Sequence, residues 1–201
     1  MIVAETSGTY ELAPIGVYSA VCTRLINMGM QETSYGLKHQ VHLAFEIDEV
    51  MSEGRPFLMM QNYTLSLNEK SRLRQDLQAW RGRAFNAEEL KGFDLKSVLG
   101  KSLQVSVVHS ADGQYANIGS MMPLGRGMQP LAPKTDVIYI DSLPKDNASF
   151  ELLSERMKDR VQKGLSLMNV APTTTAAPQS FQAPPKAPAP AIDDLNDEIP
   201  F

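Results

Sequence analysis

The sequence predicts a mainly β, α+β domain: five strands with one helix between the third and fourth. Three observations predict it. Residues 37–48 alternate apolar and polar with a period of two, which is strand periodicity. Leu73, Leu77 and Trp80 fall at i, i+4 and i+7, which puts them on one face of a helix. Turn residues, Ser52-Glu53-Gly54 and Asp112-Gly113, separate the apolar runs at hairpin spacing.

In chain order, Ile15 to Met28 is a strand candidate and Gly29 to Gly36 a loop. Leu37 to Val50 carries the clearest alternation. Leu37, His39, Val41, Leu43, Phe45 and Ile47 point one way, and Lys38, Gln40, His42, Ala44, Glu46 and Asp48 the other. That pattern describes a half-buried antiparallel strand with a solvated outer face. Arg55 to Leu67 returns as the third strand, and apolar residues on both its faces predict a bulge. Ser66 and Glu69 have capping-box spacing before the helix, with Asn68 a second candidate cap, and Gly82 ends it. A short helical turn is expected within Ala87 to Leu99. Leu103 to His109 and Tyr115 to Met121 form a hairpin about Asp112-Gly113, Gly125 to Lys134 is loop, and Val137 to Ile140 is a short strand. Asn147 to Asn169 reads as an amphipathic helix, with Phe150, Leu153, Met157, Val161, Leu165 and Met168 along one side. It could pack on its own domain or mediate a dimer. The order of the first elements is the connectivity of the OB-fold, a five-stranded Greek-key barrel, although other small barrels share it.

Bulk properties narrow the function. At 43% hydrophobic residues the chain can build a core, and it has no apolar run of about 18 residues that would span a membrane. The N-terminus has no basic stretch followed by an apolar segment, so secretion is not expected. Cys22 is the single cysteine, which excludes an internal disulfide and a multi-cysteine zinc site and fits a reducing cytoplasm. Residues 1–170 have a net charge of −1 and residues 171–201 of −3. A near-neutral body argues against a strongly basic duplex-DNA binder, while leaving room for a local basic groove.

From residue 171 the composition shifts to Pro, Ala, Thr, Gln and Ser, with six prolines between Pro172 and Pro190. Such a segment cannot bury a core and is expected to be a disordered, extended spacer. It leads to Asp193-Asp194-Leu195-Asn196-Asp197-Glu198-Ile199-Pro200-Phe201. Phe201 and Ile199 suit a hydrophobic pocket, and the carboxylates suit a basic rim. Pro200 limits the conformations lost on binding. Asp193, Asp194, Asp197, Glu198, Ile199, Pro200 and Phe201 are therefore the candidate partner-binding residues.

This ending, behind a low-complexity linker, resembles the acidic tip of bacterial single-stranded DNA-binding proteins, which combine an OB-fold, a linker and a tip ending in Ile-Pro-Phe or similar. The body lacks that family's N-terminal strand sequence. With Tyr63-Thr64-Leu65-Ser66 before its helix, it is more similar to phage and prophage single-stranded DNA-binding proteins. The resemblance implies an OB-fold single-stranded nucleic-acid-binding domain at 1–145, an amphipathic helix at 146–170, a linker at 171–192 and a partner-binding tip at 193–201. It implies sequence-tolerant coating of single strands in phage replication or recombination, in the bacterial cytoplasm, with the tip recruiting replication or repair proteins. A protein–protein adaptor without DNA binding and a recombination mediator that anneals strands are the competing readings.

Single-strand binding needs cations along the phosphates and flat side chains against the bases. OB-folds bind oligonucleotides across the second and third strands and the flanking loops. The candidates in that zone are Arg24, Tyr35, Lys38, His42, Arg55, Phe57, Tyr63 and Tyr115, with Arg72 and Arg74 on the helix. Phe57 and Tyr63 have a competing role as core residues, His42 as a plain surface residue, and Trp80 as helix packing. Arg72, Arg74, Arg81 and Arg83 form a basic strip offset locally by Asp76 alone. No phosphate-binding loop, paired-cysteine site, His-Glu-x-x-His helix or nucleophile elbow occurs, so neither catalysis nor a cofactor is expected. The tether would hold the acidic tip near the body's cationic groove at about millimolar effective concentration. Deleting residues 193–201 is thus predicted to raise affinity for oligo-dT at low salt, measured by fluorescence anisotropy; unchanged binding would contradict the competition.

Overall fold

A computed structural model describes residues 11–142 and 148–170. The linker at 171–192 and the tip at 193–201 lie outside the described residues. Among those described, no helix is long and apolar enough to cross a membrane.

Strands β1 (Gly16–Thr33), β2 (Gly36–Val50) and β3 (Pro56–Thr64) form an antiparallel meander. Helix α1 (Arg72–Arg81), helix α2 (Ala87–Lys91) and a 3-10 turn at Leu95–Val98 follow. Strands β4 (Ser102–His109) and β5 (Ala116–Met122) form the second hairpin. A short strand, β6 (Ile138–Ile140), then runs parallel to β1 at Arg24–Ile26. Helices α3 (Ala148–Glu151) and α4 (Glu155–Val170) close the described part. The ladder order is β3-β2-β1-β4-β5, with α1 between β3 and β4. The expected closed barrel is not detected: β3 approaches β5, but no hydrogen-bonded ladder joins them.

Several local expectations change. The loop expected at 29–36 shrinks to a tight turn at Ser34–Tyr35, because β1 and β2 stay paired out to Thr33 and Gly36. The bulge falls on β2 rather than β3, between Glu46 and Val50. Ser66 and Asn68 do not cap α1; Ser66 Oγ accepts from the Asn68 N–H and Asn68 Oδ1 from the Lys70 N–H. These local turns delay the helix to Arg72, with Ser71 at its N-cap. Gly82 ends it as expected, at φ 65°, with its N–H donating to Ala79 O. The C-terminal helix is broken between α3 and α4.

The core has two layers. The inner one joins Phe45, Leu43, Leu73, Leu77, Trp80 and Leu103. Trp80 packs edge-on to Phe45 at 5.6 Å and donates Nε1–H to Ser102 O at 3.1 Å. The outer one places Val161 and Leu165 of α4, with Leu153, over Ile26, Met28, Ile138 and Ile140. The helix at the C-terminal end of the described region therefore packs on its own sheet. Strand β2 is itself buried on both faces over residues 41–47. The expected solvated face at His42, Ala44 and Glu46 is corrected accordingly. Glu46 is 0% exposed and accepts hydrogen bonds from the Lys134 and Thr135 N–H groups and from the Thr135 hydroxyl.

Helix α4 docks backbone to backbone. Gly29 sits at φ +64° in a bulge of β1, and a Cβ there would lie 2.2 Å from Gly164 C. A Cβ on Gly164 would lie 1.9 Å from Met28 O. Gln31 Nε2 donates to Met28 O at 2.6 Å and to Arg160 O at 3.0 Å, tying the strand to the helix. Gly29→Ala and Gly164→Ala are each predicted to cost about 1–3 kcal/mol by overpacking, with added strain at Gly29. The double variant should cost less than the sum, because either change lifts α4 from the same place. Chemical denaturation checks this, and additive costs would contradict a shared docking point.

Candidate nucleic-acid interface

The register places the candidates on three parts of the sheet. Tyr35 tips the β1–β2 ribbon, 86% exposed, and Lys38, opposite Gln31 in the ladder, is exposed and enters no ion pair among the described residues. Arg55 and Tyr115 lie at the other end, in or beside the β2–β3 and β4–β5 turns. Tyr115 is 60% exposed, and Arg55 Nη2 pairs with Glu53 at 2.7 Å. Between the two ends, the outer face of β1–β2–β3 brings Arg24 and His42 together, since Arg24 pairs with Ala44 and Ile26 with His42.

Two aromatic candidates are core residues. Phe57 is buried in the inner cluster. Tyr63 is buried too, and its hydroxyl donates to Asp76 Oδ2 at 2.9 Å. Burial and the Asp76 carboxylate both push its phenol up. Neither ring is available for stacking, because β3 turns its odd-numbered side chains toward α1 and the inner core.

Among the described residues, the basic strip on α1 is only partly neutralised, with two carboxylates against four arginines. Asp76 accepts Arg72 Nε at 2.8 Å, and Arg74 is engaged with Gln78 Oε1 and Leu67 O. Glu89 accepts from both Arg81 and Arg83, so Asp76 is not the sole counter-charge. Hydrogen bonds from Arg83, the Asn86 N–H and Arg81 hold the Glu89 carboxyl down at about 2. Sequence distance hid this partner: Glu89 lies eight residues beyond Arg81 and reaches it only because α2 folds back.

The outer face is different. His42 is 3% exposed, and its Nδ1–H donates to Asn62 Oδ1 at 2.7 Å, which leaves Nε2 buried without a partner. Burial lowers its pKa, and the positive charges of Arg24 and Arg160 lower it further, against the Asn62 bond. His42 is therefore not the exposed residue expected, but a neutral ring beneath two cations. Arg24 and Arg160 are both half-buried, and neither enters an ion pair among the described residues. Arg24 Nε has no hydrogen-bond partner among the described residues. Arg160 was not legible as a site residue, because only the docking of α4 brings it to this face. The signal was Gly164, a small residue one turn on. Beside the two arginines, Met60, Asn62 and Thr64 of β3 are exposed, and Gln40 is half-exposed.

Cys22 is buried, and burial pushes its thiol up to about 12. Among the described residues, no three His, Cys, Asp or Glu side chains are placed to hold a metal ion. No protein-family model matches the chain, and no curated protein is significantly similar to it.

The His42 environment fixes a pH dependence. Its folded pKa lies below the ordinary 6.5, so the unfolded chain takes up the proton first as pH falls. Stability is predicted to be complete above about pH 6.5 and to decline below it. His39 shares the direction, through its own partial burial. His42→Gln should therefore reduce the slope without abolishing it, as read by denaturant melts at stepped pH; an unchanged slope would contradict the buried neutral ring.

Proposed function

We propose that the protein binds single-stranded DNA without sequence specificity across the outer face of β1–β2–β3, as a phage-type single-stranded DNA-binding protein with an OB-type sheet open at its β3–β5 seam. The observation that carries this reading is the pair Arg24 and Arg160. A half-buried guanidinium without a carboxylate keeps its charge and its directed N–H donors for an external anion. Two of them border an exposed strip of amide, hydroxyl and thioether groups, which can meet phosphates, sugars and bases without selecting a sequence. Tyr35, at the tip of its ribbon, supplies a ring for stacking, and Lys38 a cation beside it. Strand order and the placement of α1 support the same reading, since OB-folds take oligonucleotides on their second and third strands.

The closing residues Asp193–Phe201 complete the proposal as a docking peptide for replication or repair proteins, on the strength of their sequence alone. The body then holds a strand, and the tip brings an enzyme to it.

Titration with labelled oligo-dT and with duplex, over a salt series, tests the body. The double variant Arg24→Ala/Arg160→Ala should bind oligo-dT more weakly. The slope of log affinity on log salt should become shallower by about 0.7 for each phosphate that the variant no longer neutralises. Tyr35→Ala should cost about 1–3 kcal/mol if one base stacks there. Absence of oligo-dT binding at low salt, or wild-type binding by the double variant, would contradict the proposal.

A further inference from the structure

A second cationic site lies on the α1 side of the sheet, away from α4. A cavity of about 370 Å³ opens between the end of α1, the α2 region and the start of β4, with Trp80, Arg81, Arg83, Phe93, Lys101 and Leu124 in its wall. Arg81 is the centre of it. Its side chain is only 14% exposed, and its guanidinium lies 4.5 Å from the Phe85 ring centroid and 5.1 Å from that of Phe93. The rings fix the guanidinium and strip its water.

The hydrogen bonds show which donors are left. Glu89 accepts Arg81 Nη2, then Arg83 Nη1 at 3.0 Å and Nη2 at 2.7 Å, and the Asn86 N–H at 3.0 Å. Its carboxylate is saturated. Arg81 Nη1 is shielded from solvent and has no acceptor among the described residues. Lys101 is exposed and enters no ion pair among the described residues. Three cations thus face one carboxylate, and Arg81 Nη1 and Lys101 Nζ are donors on separate side chains without an acceptor among the described residues.

We infer that this cavity binds the phosphate group of a nucleotide. A carboxylate ligand favours the paired N–H groups of one guanidinium, and Glu89 already occupies those of Arg83 and one of Arg81. A phosphate presents three oxygens in different directions and accepts single donors, with lysine as a point charge. The apolar wall of Phe93 and Leu124 suits a sugar or base beside it. The volume is near the lower end for small-molecule sites, which fits one nucleotide rather than a length of strand. The site does not depend on strand binding at the outer face.

Trp80 is the single tryptophan and borders the cavity, so its emission reports occupancy. In the full chain, dTMP should change Trp80 fluorescence saturably, thymidine at equal concentration should not, and inorganic phosphate should compete. Lys101→Glu, a surface change checked by its melting temperature, should weaken dTMP by about tenfold or more. A response to thymidine equal to that for dTMP, no response to dTMP, or wild-type affinity in Lys101→Glu would overturn the site. So would an acidic peptide that shifts Trp80 where dTMP does not. Oligo-dT with and without a 5′-phosphate identifies the source. Displacement of dTMP only by the phosphorylated strand supports the site as a strand-end pocket, and no displacement by either supports it as a free-nucleotide pocket. Failure of oligo-dT binding with a normal dTMP response would remove the outer-face reading and leave this site standing.

Discussion

One strand meets three neighbours, and the irregularities in β1 that allow this set the positions of everything else. Its first residues pair with β4, its middle residues with β6, and most of its length with β2. Register shifts at Cys22/Arg24 and Asn27/Gly29 separate these regimes. Each bulge re-aims the side chains that follow it. The first turns Arg24 to the outer face. The second forms the notch in which Gly29 receives Gly164, and so brings α4 and Arg160 to that face. A Cβ at either glycine would close the notch. The outer core and the approach of Arg160 to the face that carries Arg24 follow from that close approach.

Charge is distributed along the same lines. Around α1, carboxylates meet the arginines: Asp76 with Arg72, and Glu89 with Arg81 and Arg83. Arg24 and Arg160, over the neutral ring of His42, have no such partner among the described residues. The near-neutral sum of the body therefore conceals local surplus charge, and a ligand field depends on the local arrangement rather than the sum. Such a surplus suits a ligand that is itself a line of charges. The exposed part of β3 beside it carries Met60, Asn62 and Thr64.

The element order was legible because alternation in β2 and the 3.6-residue pattern of α1 are local signals. Trp80 as packing, Gly82 as helix end and the Asp112-Gly113 hairpin were legible for the same reason. The two-sided burial of β2 was not, since His42 and Glu46 look like solvated residues until segments distant in sequence cover them, for Glu46 the residues Lys134 and Thr135. The capping signal at Ser66 misled, because serine and asparagine make turns as readily as caps. The candidate site divided similarly. Tyr35, exposed at a turn tip, could be read from loop chemistry, whereas Tyr115, expected to begin the fifth strand, lies just before it in the turn. Tyr63 required knowing that Asp76 would be buried beneath it, and Arg160 required knowing where α4 would dock. Long-range partners, such as Glu46 with Thr135, leave no local pattern to read.

The central claim concerns which surface touches the strand, and photo-cross-linking addresses it most directly. An iodouridine-substituted oligo-dT bound to the full chain, irradiated and mapped by mass spectrometry, should give adducts at Tyr35 and at Met60, an exposed side chain of β3. Adducts confined to Tyr115 and the β4–β5 hairpin, or no adducts under saturating binding, would contradict it.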